Sequence, residues 1–577
     1  MATPRLQRRA IPAAPATDVL TRLYAARGVD VAQGLQLQLA SLLPPVSLLG
    51  LEAATGRLAD ALDRDEAVLV VGDYDADGAT STALLLLGLR AMGFHGADFL
   101  VPNRFEFGYG LTPEIVQVAA AREPCPALLI TVDNGISSIA GVAQAATFGI
   151  DVLVTDHHLP GEQLPAACAI LNPNQPGCSF PSKNLAGVGV VFYLLGALRA
   201  ELRRRGWFEA RALQEPKLAE LLDLVALGTV ADVVPLDANN RILVQQGLLR
   251  LRAGRGRPGV RALLQVAGRE PSRVTSADLG FFAGPRLNAA GRLDDMSWGI
   301  RCLLEDDPLR AREMAAALDG MNRQRRQIES GMQQEALALL EEDAGAADSR
   351  WGVCLYRPEW HQGVVGLVAS RVKERLHRPV IAFAPAGDGE LKGSARSIRG
   401  LHVRDALAAV DAREPGLIVR FGGHAMAAGL SLAATDYDRF AAAFDIEVRR
   451  VLDPAALQGV LETDGELPPA DFTLPNAELL REAAPWGQHF PEPLFDGVFR
   501  LHEQRLVGEK HLRLTVSPES DPTLRLQGIA FNVDTGVWPD QAAVRAHLAY
   551  RLDVNEYRGN RSLQLLIEHI EALPSGA

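Results

Sequence analysis

From about residue 45 to 235, short β-branched runs alternate with longer stretches of helical periodicity. Strands are predicted near 67–71, 98–101, 128–132 and 152–154, with helices over 79–92, 112–121 and 137–147. That alternation implies βαβ units and a mostly parallel sheet. Leu185 to Arg204 and Leu218 to Leu227 read as further helices, the second ending at the cluster Gly228 to Asp232. Residues 236–330 look mainly helical, and Arg310 to Glu342 is a long run of strong helix formers interrupted by Gly320 and Gly331. After a break at 343–348, Val353 to Tyr356 and Val380 to Phe383 resume an α/β pattern to about residue 452. Beyond 458, the runs Phe499–Leu501, His511–Val516, Leu524–Ala530, Ala546–Val554 and Ser562–Ile567, with turn residues between them, fit a small barrel.

Composition narrows this picture. A chain of 577 residues with 48% hydrophobic content can bury more than one core, and length alone suggests about three to four domains. The cysteines (Cys125, Cys168, Cys178, Cys302, Cys354) include no CxxC pair, which argues against a disulfide framework or a thiolate zinc site and for reduced, buried fillers. Residues 1–17 carry Arg5, Arg8 and Arg9 but no apolar core for a secretory signal, and the chain has no long uncharged apolar run, so a soluble cytoplasmic protein without a membrane partner is expected. The net charge of -12 argues against nucleic-acid binding through global basicity. Local charge exists, in Arg250, Arg252, Arg255, Arg257 and Arg261 and again in Arg323, Arg325 and Arg326. Such runs are equally consistent with a solvated arginine-rich surface.

The candidate chemistry lies at the predicted strand ends. Asp156-His157-His158 follows the apolar run Val152 to Val154, and it is joined by Gly72-Asp73-Tyr74-Asp75-Ala76-Asp77-Gly78, Thr131 to Gly135 and Gly228 to Asp232. In an open α/β sheet that edge is where ligands bind. Gly72 and Gly78 would let the loop between them turn. Asp75, Asp77, Asp133, His157, His158 and Asp232 offer six oxygen and nitrogen donors, too many for one tetrahedral ion but suited to two six-coordinate ones. Two ions roughly 3.5–4 Å apart can activate water and stabilise attacking and leaving oxygens in phosphoryl hydrolysis. Carboxylates with imidazoles and no thiolate favour Mn²⁺ or Mg²⁺. For each cluster the plain alternative is a helix N-cap or a satisfied core histidine. Asp156 is read either as a weak ligand or as a support that fixes a histidine tautomer.

Taken together, these motifs resemble the DHH phosphoesterase superfamily and, within it, the RecJ branch of single-strand exonucleases. Further segments carry the same resemblance: Leu23 to Val29, Val101-Pro102-Asn103-Arg104 with Gly108-Tyr109-Gly110-Leu111, Gly284 to Arg292, Gly393 to Ser397, and Gly422-Gly423-His424 with the following Ala425 to Gly429. It covers nearly the whole chain. Many superfamily members place a His four residues before the first metal Asp; this chain has Val71 there, as RecJ-like members do. The resemblance implies an N-terminal lead-in (1–45), a parallel-sheet DHH catalytic domain (46–235), a helical region with a connecting helix (236–345), a smaller α/β DHH-associated domain (346–455) and a C-terminal OB-like β-barrel (456–577).

It further implies a 5′-to-3′ exonuclease on single-stranded DNA that releases 5′-mononucleotides, acting in repair and recombination beside a helicase and a single-strand-binding protein. Two Mn²⁺ or Mg²⁺ ions would sit on the six donors, with Asp156 supporting the catalytic set. Arg104, Tyr109, Arg286, Ser394, Arg396, Gly422, Gly423 and His424 would contact the substrate. His361 to Gly366 is expected to open a helix of the associated domain. Phe531, Trp538 and Tyr557 are candidate base-stacking residues, each also a plausible core residue. Two alternatives remain open at this stage: a phosphodiesterase for short oligonucleotides or cyclic dinucleotides, and a non-catalytic DNA-binding scaffold.

Overall fold

The computed structural model describes residues 4–10, 18–29, 36–103, 107, 109–342, 350–557 and 559–574. The chain divides into two compact units: Arg8–Met321 with Thr463–Ala577, and Asn322–Glu462 with the N-terminal segment up to Gln7. Strand β1 (Arg5–Arg8) forms a two-stranded sheet with a strand near residue 460.

The first unit is built on five parallel strands, β2 (Val68–Gly72), β3 (Ala97–Leu100), β4 (Leu128–Val132), β5 (Asp151–Thr155) and β6 (Ala169–Leu171), in the order β3-β2-β4-β5-β6. Strands β2 and β4 are buried along their whole length, as expected of a parallel sheet covered on both faces. Alternate residues separate the two layers. Val68, Val70, Leu128 and Ile130 pack with the helices Ala76–Ala91, Gly187–Arg204 and Leu222–Ala231; Leu69, Val71 and Leu129 pack with Pro113–Ala120 and Ile139–Thr147. Strand β6 escaped the sequence reading because three residues are too short to show a period.

The helix predicted over 79–92 spans Ala76–Ala91, because Asp75 caps it and draws Asp77 into its first turn. Gly72 and Gly78 do not supply an unusual turn, as neither has a positive φ. They supply room: a Cβ would lie 2.3 Å from Thr82 Oγ1 at Gly72 and 2.6 Å from the Asp73 carbonyl at Gly78. Residues 236–330 are helical as predicted, including Ala238–Arg252, Pro258–Val266, Gly284–Leu293 and Ser297–Leu304. The long helix Pro308–Glu342 runs through both glycines without a break.

The second unit contains β7 (Val353–Tyr356), β8 (Val380–Pro385), β9 (Glu390–Arg396), β10 (Arg420–Gly423) and β11 (Ala427–Ala433), in the order β10-β11-β9-β8-β7. The helix Val365–Leu376 connects the parallel pair β7 and β8; the other pairings are antiparallel. After β12 (Val460–Thr463), the five predicted C-terminal runs become β13 (Phe495–Val507), β14 (His511–Pro518), β15 (Leu526–Ala530), β16 (Arg545–Tyr557) and β17 (Asn560–Leu573). They close into a barrel in the order β13-β14-β15-β17-β16, with β15 and β17 parallel. Closure leaves this sheet no open edge. Ahead of the barrel, Trp486 and Phe490 belong to the core of the parallel-sheet layer: they stack 5.1 Å apart, and Tyr24 lies 6.2 and 5.8 Å from them.

The five cysteines are unpaired, but only Cys302 and Cys354 are buried; Cys125 and Cys168 are exposed, against the expectation of fillers. No single helix among the described residues is long and apolar enough to cross a membrane.

Candidate metal centre and phosphate site

The ends of β2, β4 and β5 and the C-terminus of the helix Leu222–Ala231 bring the acidic and histidine clusters together. Asp75 follows β2 and accepts from Asp77 N (2.9 Å) and Gly78 N (3.0 Å) through one carboxylate oxygen. Asp77, 1% exposed, accepts from Gly187 N (2.6 Å) and Val188 N (2.9 Å) at the start of the helix Gly187–Arg204. Those orphan amides and the helix dipole favour an anion there. Asp133, just after β4, adopts a left-handed φ of 62°, an uncommon conformation for a residue with a Cβ. Gly187 lets Asp133 approach, since a Cβ on it would lie 2.8 Å from Asp133 Cβ. Asp232 caps the C-terminus of Leu222–Ala231, the predicted helix-to-loop junction.

His157 Nε2 lies 3.0 Å from Asp133 Oδ1, 3.5 Å from Asp232 Oδ2 and 3.9 Å from Asp77 Oδ2. Three compact donor groups result: Asp133 with His157 and His158, Asp77 with His157 and Asp232, and Asp73 with Asp75 and Asp133. The first two share His157 and contain five of the six predicted ligands; the third adds Asp75, and brings in Asp73, which the sequence reading left out. Asp133 Oδ1, His157 Nε2 and Asp232 Oδ2 are buried atoms with no hydrogen-bond partner among the described residues. Buried polar atoms without a partner are costly, and divalent cations held by these donor groups would supply the missing partners. The oxygen and imidazole donor set therefore fits Mn²⁺ or Mg²⁺.

The charge balance agrees. Burial and the charge of Asp232 push Asp77 up to about 7, burial and Asp75 push Asp232 up to about 7, and burial with Asp77 raises Asp133 as well. So many carboxylates cannot all ionise in one dry pocket unless positive charge joins them. Burial and the neighbouring His158 lower His157, keeping it neutral as a ligand must be. Burial opposes the charge on His158 most strongly, but the Asp156 hydrogen bond together with the charges of Asp156, Asp232 and Asp73 outweighs it and raises His158 to about 9.

Asp156 lies outside all three donor groups. It is 1% exposed, and its carboxylate accepts from Ile136 N (2.9 Å), His157 N (2.7 Å) and His158 N (3.1 Å) while holding His158 Nδ1 at 2.7 Å. Tyr109 reaches the same cluster, its hydroxyl 3.2 Å from His158 Nδ1 and 3.2 Å from the Asp133 carbonyl. Sequence reasoning missed a set of carboxamides that hold the backbone behind the donor cluster. Asn134 donates to the Val71 and Val132 carbonyls, Asn172 to His158 O and Asn174 to His157 O (2.6 Å). Asn172-Pro173-Asn174 follows the unpredicted strand β6, so its signal was hidden with that strand.

Arg286 is 6% exposed; its guanidinium pairs with Asp319 at 2.7 Å and donates to Phe282 O, which makes it part of the unit's interior and not an open phosphate contact. Arg104 lies outside the described residues. The predicted basic run is likewise largely spent at home: Arg252 donates to Val274 O, and Arg257 to Asp306 and the Leu303, Leu304 and Glu305 carbonyls. Arg325 is buried with Glu329 and Asn322.

In the second unit, Ser394 and Arg396 lie on β9. Arg396 donates to Ser394 Oγ (3.0 Å), and burial lowers its guanidinium. Gly366, in the first turn of Val365–Leu376, faces them, and a Cβ there would lie 2.9 Å from both. Across the sheet, Gly429 pairs with Ser394 and with Gly422, so three small residues sit side by side on adjacent strands. Gly423 has a φ of 143° and ends β10, and His424 N donates to Ala427 O, so the Gly-Gly-His segment closes β10 and leads into the hairpin to β11. His361 precedes the helix and accepts from Gly363 N at 3.1 Å.

In the barrel, Trp538 is 5% exposed and belongs to the core; Phe531 is 54% exposed and packs edge-on against His511. The Tyr557 side chain lies outside the described set.

A parallel sheet whose strand ends gather carboxylates and a His-His pair around unsatisfied donor atoms defines a DHH-type phosphoesterase core. The family model for the DHH family N-terminal domain matches residues 67–229, the DHHA1 domain 351–449 and the RecJ OB domain 463–569. Similarity extends along the chain. The single-stranded-DNA-specific exonuclease RecJ of Dickeya dadantii is 60% identical over 553 residues, 96% of each chain. The same-named protein of Escherichia coli is 59% identical, over 96% of this chain and 95% of its own. The crystal structure of RecJ in complex with Mn²⁺ from Thermus thermophilus matches with a TM-score of 0.78 at 30% identity, covering 99% of this chain and 80% of that one. The chain belongs to the RecJ family.

Proposed function

We propose that the protein is an exonuclease that degrades single-stranded DNA from the 5′ end to 5′-mononucleotides, using two divalent cations, and that it serves DNA repair and recombination. The observation that carries the reading is the set of buried atoms without a hydrogen-bond partner on Asp133, His157 and Asp232, in a chain that matches a RecJ relative over 96% of its length. Asp75, Asp77, Asp133, His157, His158 and Asp232 are the residues assigned to hold Mn²⁺ or Mg²⁺. When bound, such ions supply Lewis acidity at phosphorus and lower the pKa of water.

The chain's own residues do the rest. Asp156 fixes the ring of His158 and, through two backbone amides, the direction of both histidines. Tyr109 closes one side of the cluster with its ring edge-on to Tyr74 and to His158. In the second unit, Arg396 offers a charged fork beside Ser394, and Gly422, Gly423 and His424 offer backbone and imidazole groups that a phosphate can approach closely. The barrel, with Phe531 on its surface, is assigned to the strand beyond the cleaved nucleotide. A helicase to unwind duplex and a single-strand-binding protein are the partners such an activity calls for, in the cytoplasmic compartment that holds bacterial DNA.

Digestion of 5′- and 3′-end-labelled single strands and duplex with Mn²⁺, Mg²⁺ or chelator tests the reading. Early loss of the 5′ label from single strands, only with metal, is expected. Early loss of the 3′ label would overturn the polarity, cleavage in chelator the metal role, and activity confined to dimers and trimers the exonuclease assignment.

A further inference from the structure

The first turn of the helix Ala76–Ala91 poses a problem of hydrogen-bond satisfaction. An N-cap side chain reaches the second and third amides of its helix, and Asp75 does so at Asp77 and Gly78. The first amide, that of Ala76, has no acceptor within the helix. Ala76 is 1% exposed, so its N–H needs a protein partner. That partner is Asn288, whose Oδ1 accepts from Ala76 N at 2.8 Å across 212 residues of sequence.

Asn288 lies on the helix Gly284–Leu293. Three residues further on, on the same face, is Gly291. A Cβ on Gly291 would sit 1.8 Å from the Tyr74 carbonyl oxygen, a collision with backbone that no rotamer relieves. One face of this helix therefore touches the acidic loop at residues 74 and 76, on either side of Asp75 and directly before Asp77. Residue 288 lies well beyond the part of the chain that matches the DHH domain, which ends at residue 229.

We propose that Asn288 and Gly291 are positioning residues for the cation site: they hold the Asp73–Asp77 loop from outside the catalytic domain so that Asp75 and Asp77 are presented in a fixed arrangement. This deepens the cation-binding reading above and rests on it. The acidic loop cannot order itself, because Asp75 is committed to two amides and the third must be met by another helix. The packing at Gly291 sets the distance at which Asn288 can meet it.

The test compares Asn288→Leu, which keeps the size and removes the acceptor, with Asn288→Asp, which keeps the acceptor, and adds Gly291→Ala. Mn²⁺ binding to the DNA-free full chain is followed by electron paramagnetic resonance of the free ion, with far-UV circular dichroism as the check on folding. Asn288→Leu is expected to bind Mn²⁺ about tenfold more weakly or worse with an unchanged spectrum, Asn288→Asp to retain the parental affinity, and Gly291→Ala to follow Asn288→Leu. Parental affinity in Asn288→Leu, or equal loss in the Leu and Asp variants, would overturn the proposal. Asp75→Ala keeps the two failures apart. If it abolishes Mn²⁺ binding while Asn288→Leu does not, only the positioning role falls; if Asp75→Ala has no effect, the cation site itself falls and this proposal with it.

Discussion

Among single residues, Asp156 shows how much one carboxylate organises. It is buried, accepts from three backbone amides and holds His158, so Asp156→Asn removes the charge that orients that ring while leaving the shape nearly intact. Groups that orient ligands in this way are worth about 10–100-fold in metal affinity or activity; a drop of that size in exonuclease rate with unchanged circular dichroism is expected, and an unaltered rate would refute the role. Asp223 makes a different prediction. It is fully buried, with one oxygen accepting from Arg257 N and the other unpartnered, and burial pushes its carboxyl up to about 6 from an ordinary 3.8. A carboxyl raised in the folded state stabilises it below pH 4, and that contribution, about 3 kcal/mol, is lost as pH rises through 6. Asp223→Asn should therefore gain in melting temperature over the parent at pH 7.5 relative to pH 4.5. Equal differences at both pH values would sink the assignment. The clustered carboxylates and histidines were legible in the sequence because acidic and histidine residues at strand ends have few structural uses in such density. Their supports were not: Asn134, Asn172, Asn174 and Asn288 act through backbone atoms of distant segments, and one sequence gives no sign of which carbonyl or amide a carboxamide will meet.

Secondary-structure elements were read well where they were long and periodic, and poorly where they were short or shared. The parallel strands and the long helix fell where predicted, while β6 was invisible and the helix after β2 began three residues early, because capping by Asp75 overrode the glycine as a boundary signal. Glycines were misread in kind. Gly72, Gly78 and Gly187 serve as gaps into which a neighbouring element fits, and only the folded packing reveals that use. Gly187→Ala tests it, because the added methyl would meet Asp133 at 2.8 Å at the very start of the helix that also holds Asp77. Displacement of a reacting group by an ångström can cost about a hundredfold in rate, so a loss near that size with a retained fold is expected. Wild-type kinetics in this variant would show that Asp133 has room to move. The arginine run at 250–261 is the converse case: read as a possible nucleic-acid patch, it commits Arg257 to the C-terminus of the helix Ser297–Leu304, where the guanidinium satisfies carbonyls that have lost their helical partners, and Arg252 to the Val274 carbonyl.

At the scale of the whole molecule, the sequence suggested five consecutive domains, and the two compact units of the folded chain group distant stretches of it. Residues 463–577 group with the parallel-sheet unit, and the long helix is shared between both units. Ala484, Trp486 and Phe490 precede the barrel in sequence but lie in the core of the parallel-sheet layer, with Arg241 4.3 Å from the Phe490 ring and Ser276 bonded to the Trp486 carbonyl. Composition and periodicity cannot show this, since an aromatic pair in a connecting segment looks the same whichever core receives it. A chain ending at Glu462 loses both rings, and removing a buried Phe or Trp side chain costs about 3–5 kcal/mol. It should melt well below a chain ending at Pro493, which keeps them; similar melting temperatures by scanning calorimetry would show that the rings contribute little. For anyone exchanging barrels between relatives, the consequence is a different seam. The junction that sequence families suggest, near residue 463, would graft a foreign plug into the recipient's enzyme body, whereas a cut just before Phe495 leaves the native plug in place and makes the barrel a replaceable part.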